Sequence, residues 1–161
     1  MTRLSKVVPA ILTDDPEALA TMVQQAERFT TYVQFDIMDG QFVPSRSITS
    51  DDLKTLSTDL SWEVHLMVQE PEKYLESFWE AGARKVVFHY EATSSAEGVI
   101  SQARNLGLGV GLAVNPETPV SAISSLVSIV SAVASLLAIT FISASVSFKS
   151  LLSDEIPLSS A

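Results

Sequence analysis

Asp36 and His65 are the two side chains in this sequence whose types and settings most readily do chemistry. Asp36 ends an apolar, β-prone run (Tyr32, Val33, Phe35, Ile37), and a second carboxylate, Asp39, follows before Gly40. A buried strand that lifts an acid out of the core and then turns is how an active-site strand end is built. Asp39-Gly40 is equally well explained by an Asx-type turn, with no chemistry in it. His65 sits inside the next β-prone run, Trp62 to Val68. A carboxylate and an imidazole on neighbouring strands can share a divalent cation such as zinc. A lone histidine in an apolar strand also serves as a hydrogen-bonded core residue, so both readings stand at this point. Met38 and Met67 follow Asp36 and His65 at the same two-residue offset. Each either packs in the core or lines a site where charge develops on a substrate.

The elements that must hold these residues follow from the pattern. Val7 to Leu12 reads as a first strand. Asp15-Pro16 opens a helix, with Asp15 as the cap, Pro16 in the first helical position, and Leu19, Met22, Val23, Ala26 and Phe29 facing a sheet. Tyr32 to Ile37 is the second strand. Gln41 to Ser50 is a loop, and Thr49 with Asp52 caps a short helix through Leu56. Trp62 to Val68 is the third strand. Pro71 opens a helix with Tyr74, Leu75, Phe78 and Trp79 on a wide apolar face, closed by Gly82. Val86 to Phe88 is the fourth strand. Ser94 and Glu97 form a capping box for a helix carrying Val99, Ile100, Ala103 and Leu106, closed by Gly107. Val110 to Val114 is the fifth strand. Strands alternating with helices at about 25 residues per unit predict an α/β fold with a parallel sheet, of (β/α)₈ barrel type. A doubly wound open sheet is the alternative, but no G-x-G-x-x-G follows the first strand.

Composition narrows the function. The net charge of −9 disfavours a nucleic-acid backbone or an anionic membrane surface as partner. The absence of cysteine rules out disulfides and thiolate zinc sites and fits a cytoplasmic setting. From Thr118 the composition changes: Thr118 to Phe148 carries no charge and is rich in serine. Leu126 to Val146 is long enough to cross a bilayer. The preferred reading is an amphipathic helix plus a buried strand, with serines (Ser121, Ser124, Ser128, Ser131, Ser135) on the wetter side, because charged flanks are sparse.

Several motifs then appear in order: Pro9-Ala10-Ile11-Leu12, Phe35-Asp36-Ile37-Met38-Asp39-Gly40-Gln41-Phe42-Val43-Pro44, Val64-His65-Leu66-Met67-Val68, His89-Tyr90-Glu91-Ala92, and Gly111 through Pro119. Together they resemble the ribulose-phosphate 3-epimerase family over residues 7 to 123. The resemblance implies a ribulose-phosphate-binding (β/α)₈ TIM barrel, here incomplete, with about five to six βα units. Residues 1–123 would be its N-terminal part, and 124–161 a serine-rich apolar tail, diverged or frame-shifted. It implies a sugar phosphate as partner, a divalent metal (zinc, iron or manganese), and epimerisation at C3 of a ketose phosphate through an enediolate. Asp36 would be metal ligand and acid/base, and His65 a ligand that also contacts substrate. Met38 and Met67 would cushion the enediolate, and His89 and Glu91 would be wall residues.

The same resemblance marks four departures. Gln34 stands where the family places a metal histidine, which weakens the metal site. Ala10 stands where the family has a substrate-binding serine. No glycine-rich phosphate loop and no second catalytic aspartate are found in the tail. The expectations are therefore weak metal affinity and little or no epimerase activity from these 161 residues. The alternatives are a sugar-phosphate-binding or degenerate member without turnover, or an epimerase of another ketose phosphate such as allulose 6-phosphate. Homo-oligomerisation is left open.

Overall fold

The computed structural model describes residues 7–131. Five strands form one sheet in the order of the chain: β1 (Ala10–Ile11), β2 (Tyr32–Met38), β3 (Ser61–Met67), β4 (Lys85–His89) and β5 (Gly109–Ala113). All four pairings are parallel. Helices α1 (Pro16–Ala26), α2 (Ser50–Lys54), α3 (Leu75–Glu80) and α4 (Ala96–Asn105) lie between them, and α5 (Ser124–Ser131) follows β5. This is an α/β architecture, the opening part of a parallel barrel.

Strand alternation sorts the sheet into two faces. Val33, Phe35 and Ile37 of β2, Val64 and Leu66 of β3, and Val86 and Phe88 of β4 are buried in the main core with Leu19, Val23, Phe78 and Ile100 of the helices. Each such side chain contributes roughly 1.5–3 kcal/mol by leaving water. Phe35 meets Trp62 edge-on at 5.4 Å. The opposite face carries Gln34, Asp36 and Met38, then Glu63, His65 and Met67. Register sets Asp36 level with His65.

Local signals explain most element ends. The Asp15 carboxylate accepts the Glu17 N–H at 2.9 Å, with Pro16 behind it. Thr49 and Asp52 form a complete capping box for α2, which stops at Lys54 rather than Leu56. Gly82 and Gly107 follow α3 and α4 with φ of 106° and 79°, a conformation that side chains with a Cβ resist.

Several expectations are corrected. The first strand shrinks to two residues: Val7 and Leu12 are exposed, and Pro9 has no N–H to give the ladder. Phe29 does not face the sheet. Helix α1 ends at Ala26, so Phe29 falls off its period and is 71% exposed. The segment from Pro71 is a 3-10 turn (Pro71–Lys73) before α3, and in that short helix Leu75 and Phe78 point inward while Trp79 is half-exposed. The cap of α4 is Ser95, not Ser94: the Ser95 hydroxyl accepts the Gly98 N–H at 3.2 Å. In α5, Leu126 and Val130 are buried and join the core. The remainder of the tail, including most of the apolar stretch to Val146 and the buried strand expected in it, lies outside the described residues. Among the described residues no helix is long and apolar enough to cross a membrane.

Candidate functional site

The inner face of the sheet holds two layers of polar side chains. The lower layer is built around Glu63, 5% exposed on β3. Its Oε2 accepts the Tyr32 hydroxyl at 2.9 Å and pairs with Lys85 Nζ at 3.0 Å. Lys85 is the register partner of Glu63 on β4, and its stem lies against β5, where Gly109 and Gly111 leave room: a Cβ on Gly109 would lie 3.3 Å from the lysine stem, and one on Gly111 3.2 Å from Lys85 Cε and 2.9 Å from Val87 Cγ2. Burial, followed by the charge and hydrogen bond of Glu63, raises the Tyr32 hydroxyl's pKa, so it stays a donor. No motif announced this layer. The signal was the two-residue period of Glu63, His65 and Met67 along β3.

The upper layer runs across three strands. Gln34 donates its amide N–H to Asp36 Oδ1 at 3.0 Å. The same oxygen lies 3.2 Å from His65 Nδ1. His65 Nε2 lies 3.1 Å from His89 Nε2, with the two rings stacked at 5.1 Å. His89 Nδ1 lies 3.7 Å from Glu91 Oε2. Both of those atoms are buried without a hydrogen-bond partner. Glu91 is aimed by the loop after β5: its Oε1 accepts the Asn115 N–H at 2.8 Å and the Thr118 hydroxyl. Burial raises the Glu91 carboxyl's pKa, but the Thr118 and Asn115 bonds outweigh this and leave it below its ordinary value. Burial, and then the neighbouring His65, push His89 down to about 4, so its ring is neutral near pH 7.

The sequence therefore led to two residues that do meet. Asp36 retains 17% of its side-chain surface, whereas His65 retains 2%. Met38 ends β2, its N–H donated to the Ser47 hydroxyl at 2.9 Å, and Met67 ends β3 at the same level, buried. Ala10 pairs with Gln34 in the sheet and is exposed. Asp39 takes the turn role: Oδ1 accepts the Gln41 and Phe42 N–H groups, and Oδ2 reaches across to the Gln69 N–H at 2.8 Å. A cavity of about 240 Å³ opens beside Met38 and Asp39, lined also by Arg46, Thr49 and Tyr74. Asp36 does not line it. Lys54 lies on the surface, paired with Glu80.

A carboxylate oxygen and an imidazole nitrogen 3.2 Å apart can share a proton or a cation. Among the described residues no group of three or more His, Cys, Asp or Glu side chains gathers as a metal site.

The sequence has counterparts among known proteins. The model of the ribulose-phosphate 3-epimerase family matches residues 6–140. The chain is similar to the ribulose-phosphate 3-epimerase of Schizosaccharomyces pombe, 36% identical over 125 residues, covering 74% of this chain and 55% of that protein. It is similar to that of Treponema pallidum, 37% identical over 127 residues (77% and 58%), and to that of Bacillus subtilis, 36% over 121 residues (73% and 56%). The chain spans about half the length of the curated relatives it matches. A parallel sheet with Asp36 and His65 side by side near its strand ends, a family match over most of the sequence, and three relatives with one name lead to one statement: this chain belongs to the ribulose-phosphate 3-epimerase family.

Proposed function

We propose that these residues form one face of a ketose-phosphate 3-epimerase site, with Asp36 as its acid/base. The observation that carries the reading is the contact of Asp36 with His65, 3.2 Å apart near the ends of adjacent parallel strands. A parallel barrel collects its chemistry at that end. The proton on C3 lies next to a carbonyl, so a carboxylate can remove it and leave an enediolate. Asp36 is accessible enough to reach a substrate, and Met38 and Met67 offer polarizable surface to the flat intermediate. His65 borders the same space.

A divalent cation, whether zinc, iron or manganese, fits this site as a weakly held one. Two ligands of one zinc ion, each about 2.0–2.1 Å from it in a tetrahedral site, stand roughly 3.3 Å apart, close to the observed separation of Asp36 Oδ1 and His65 Nδ1. The third neighbour is the Gln34 amide, a poorer donor than imidazole. When bound, the cation would supply charge stabilisation for the oxygens of the intermediate.

Epimerisation inverts the centre and so needs a second acid/base on the opposite side of the carbon. Among the described residues, the other carboxylates of the inner face are engaged: Glu63 by Tyr32 and Lys85, Glu91 by Asn115 and Thr118. The chain is thus expected to exchange the C3 proton faster than it inverts the centre. The test is incubation of the 161-residue chain with ribulose 5-phosphate and zinc in heavy water. Deuterium should enter at C3, with little xylulose 5-phosphate formed, and Asp36→Asn should abolish the exchange. Absence of exchange in the folded chain refutes the role of Asp36. A second reading, a sugar-phosphate-binding member without turnover, is favoured by Gln34 and Ala10 and is supported by binding without exchange.

A further inference from the structure

We propose that His89 and Glu91 are positioning residues: they hold His65 in the tautomer that carries its proton on Nε2 and turns the Nδ1 lone pair toward Asp36. The proposal deepens the reading of Asp36 and His65 as a cation-sharing pair and rests on it.

The argument is a count of hydrogens. Asp36, His65, His89 and Glu91 form a row with three gaps, of 3.2, 3.1 and 3.7 Å. Ionised carboxylates bring no hydrogen, and each neutral ring brings one. Two hydrogens must serve three gaps, so one gap is left with lone pairs facing each other. An empty gap between the two Nε2 atoms would set lone pairs face to face at 3.1 Å between two buried rings, so that gap holds a hydrogen. If His65 then gives its hydrogen to Asp36, His89 gives its own to His65. The empty gap is then the buried one, with the His89 Nδ1 lone pair against the Glu91 carboxylate. If His89 instead turns its N–H toward Glu91, then His65 donates Nε2–H to His89. The empty gap now lies between His65 Nδ1 and Asp36, at the accessible end of the row.

Two observations favour the second arrangement. Glu91 is fixed by Asn115 and Thr118 on one oxygen, which aims the other at His89 and at no further donor. Asp36 already accepts an N–H from Gln34 and retains side-chain exposure, so it depends less on a hydrogen from His65. A buried lone-pair clash costs more than one beside solvent. The same logic underlies the partners that orient metal-binding histidines: the hydrogen bond on the far nitrogen decides which nitrogen is free.

The chain contains two histidines, so a ¹⁵N-histidine sample reports on just these rings. In the zinc-free 161-residue chain, the expected signal is one protected ring proton correlated to both Nε2 nuclei. With zinc alone added, His65 should show a protonated Nε2 and a metal-shifted Nδ1. His89→Phe removes the acceptor while keeping the ring volume, and zinc affinity should fall about 10–100-fold. His89→Gln, whose Oε1 accepts the same N–H, should recover most of that loss. Glu91→Gln turns an N–H toward His89, so His65 should switch its hydrogen to Nδ1 and zinc should bind more weakly. Absence of the shared ring proton overturns the proposal. So does a His65 tautomer and zinc affinity unchanged in both His89→Phe and Glu91→Gln. A wild-type chain that shows the shared proton and protonated Nε2 but binds no zinc keeps the positioning role and refutes the cation reading. Zinc binding without the shared proton does the reverse. The wild-type spectrum decides the matter even if a variant fails to fold.

Discussion

Lys85→Met isolates the ion pair beneath the site. The substitution removes the cation and keeps most of the stem, so the packing against Gly109 and Gly111 survives. Glu63, 5% exposed, then keeps the hydrogen bond from the Tyr32 hydroxyl but has lost its cation. Breaking a buried pair from one side costs about 3–5 kcal/mol, since the surviving charge is desolvated without compensation. Lys85 keeps 15% of its side-chain surface, which lets some water reach Glu63 and places the expected cost near the lower end, about 3 kcal/mol. With a urea slope of about 1.5–2 kcal/mol per molar, that is a midpoint lowered by roughly 1.5–2 M. The assay is urea unfolding of wild type, Lys85→Met, Glu63→Gln and the double variant at pH 7. Urea is chosen because it is uncharged and does not screen the pair. The double variant should recover at least half of the loss, since Glu63→Gln removes the stranded charge. A single-variant cost below about 1 kcal/mol, or a double variant as unstable as Lys85→Met, refutes the reasoning.

Three further outcomes are expected. Gln34→His replaces the amide beside Asp36 with an imidazole and should raise zinc affinity at least tenfold in a competition titration; no gain would show that the site is not assembled. Asp39→Asn keeps one acceptor oxygen but loses the carboxylate that ties the β2 loop to Gln69, at a cost of about 1.5–3 kcal/mol. Burial raises the Asp39 carboxyl's pKa, but the N–H groups of Gln41, Gln69 and Phe42 prevail and lower it. Its contribution is therefore whole above the ordinary carboxylate value of about 4 and fades as pH falls through the folded value, which urea midpoints at pH 7 and 3 would show. His89 is depressed to about 4 from about 6.5, so the unfolded chain binds the extra proton in that window and stability falls as pH drops across it, by on the order of 3 kcal/mol. A pH slope between 6.5 and 4 that is the same in His89→Gln would contradict this.

The legible part of this protein was the part written in local patterns. The period of Val33, Phe35 and Ile37, the cap at Asp15, the capping box at Thr49 and the glycine stops at Gly82 and Gly107 each depend on residues close in sequence. They predicted the parallel order and the meeting of Asp36 with His65. What escaped depends on partners far along the chain. The Glu63–Lys85 pair needs the strand register and the absent side chains of β5, and the contact of His89 with His65 needs a side chain from one level to reach the next. Ser94 and Ser95 compete for one cap, and composition cannot rank two adjacent serines. Phe29 and Trp79 look like core by type but sit where a helix has ended or turned away.

The strand order has a consequence for how the chain is made. Each strand from β2 to β5 hydrogen-bonds to the one synthesised just before it, and no pairing among the described residues waits for a distant segment. A ribosome releasing this chain at about 5–20 residues per second would deliver a new βα unit every few seconds, far slower than a helix or a short loop forms. Each unit can therefore dock on an edge that is already waiting. Growth is vectorial, and the Asp36–His65 pair is complete once β3 has emerged, before His89 arrives to hold it.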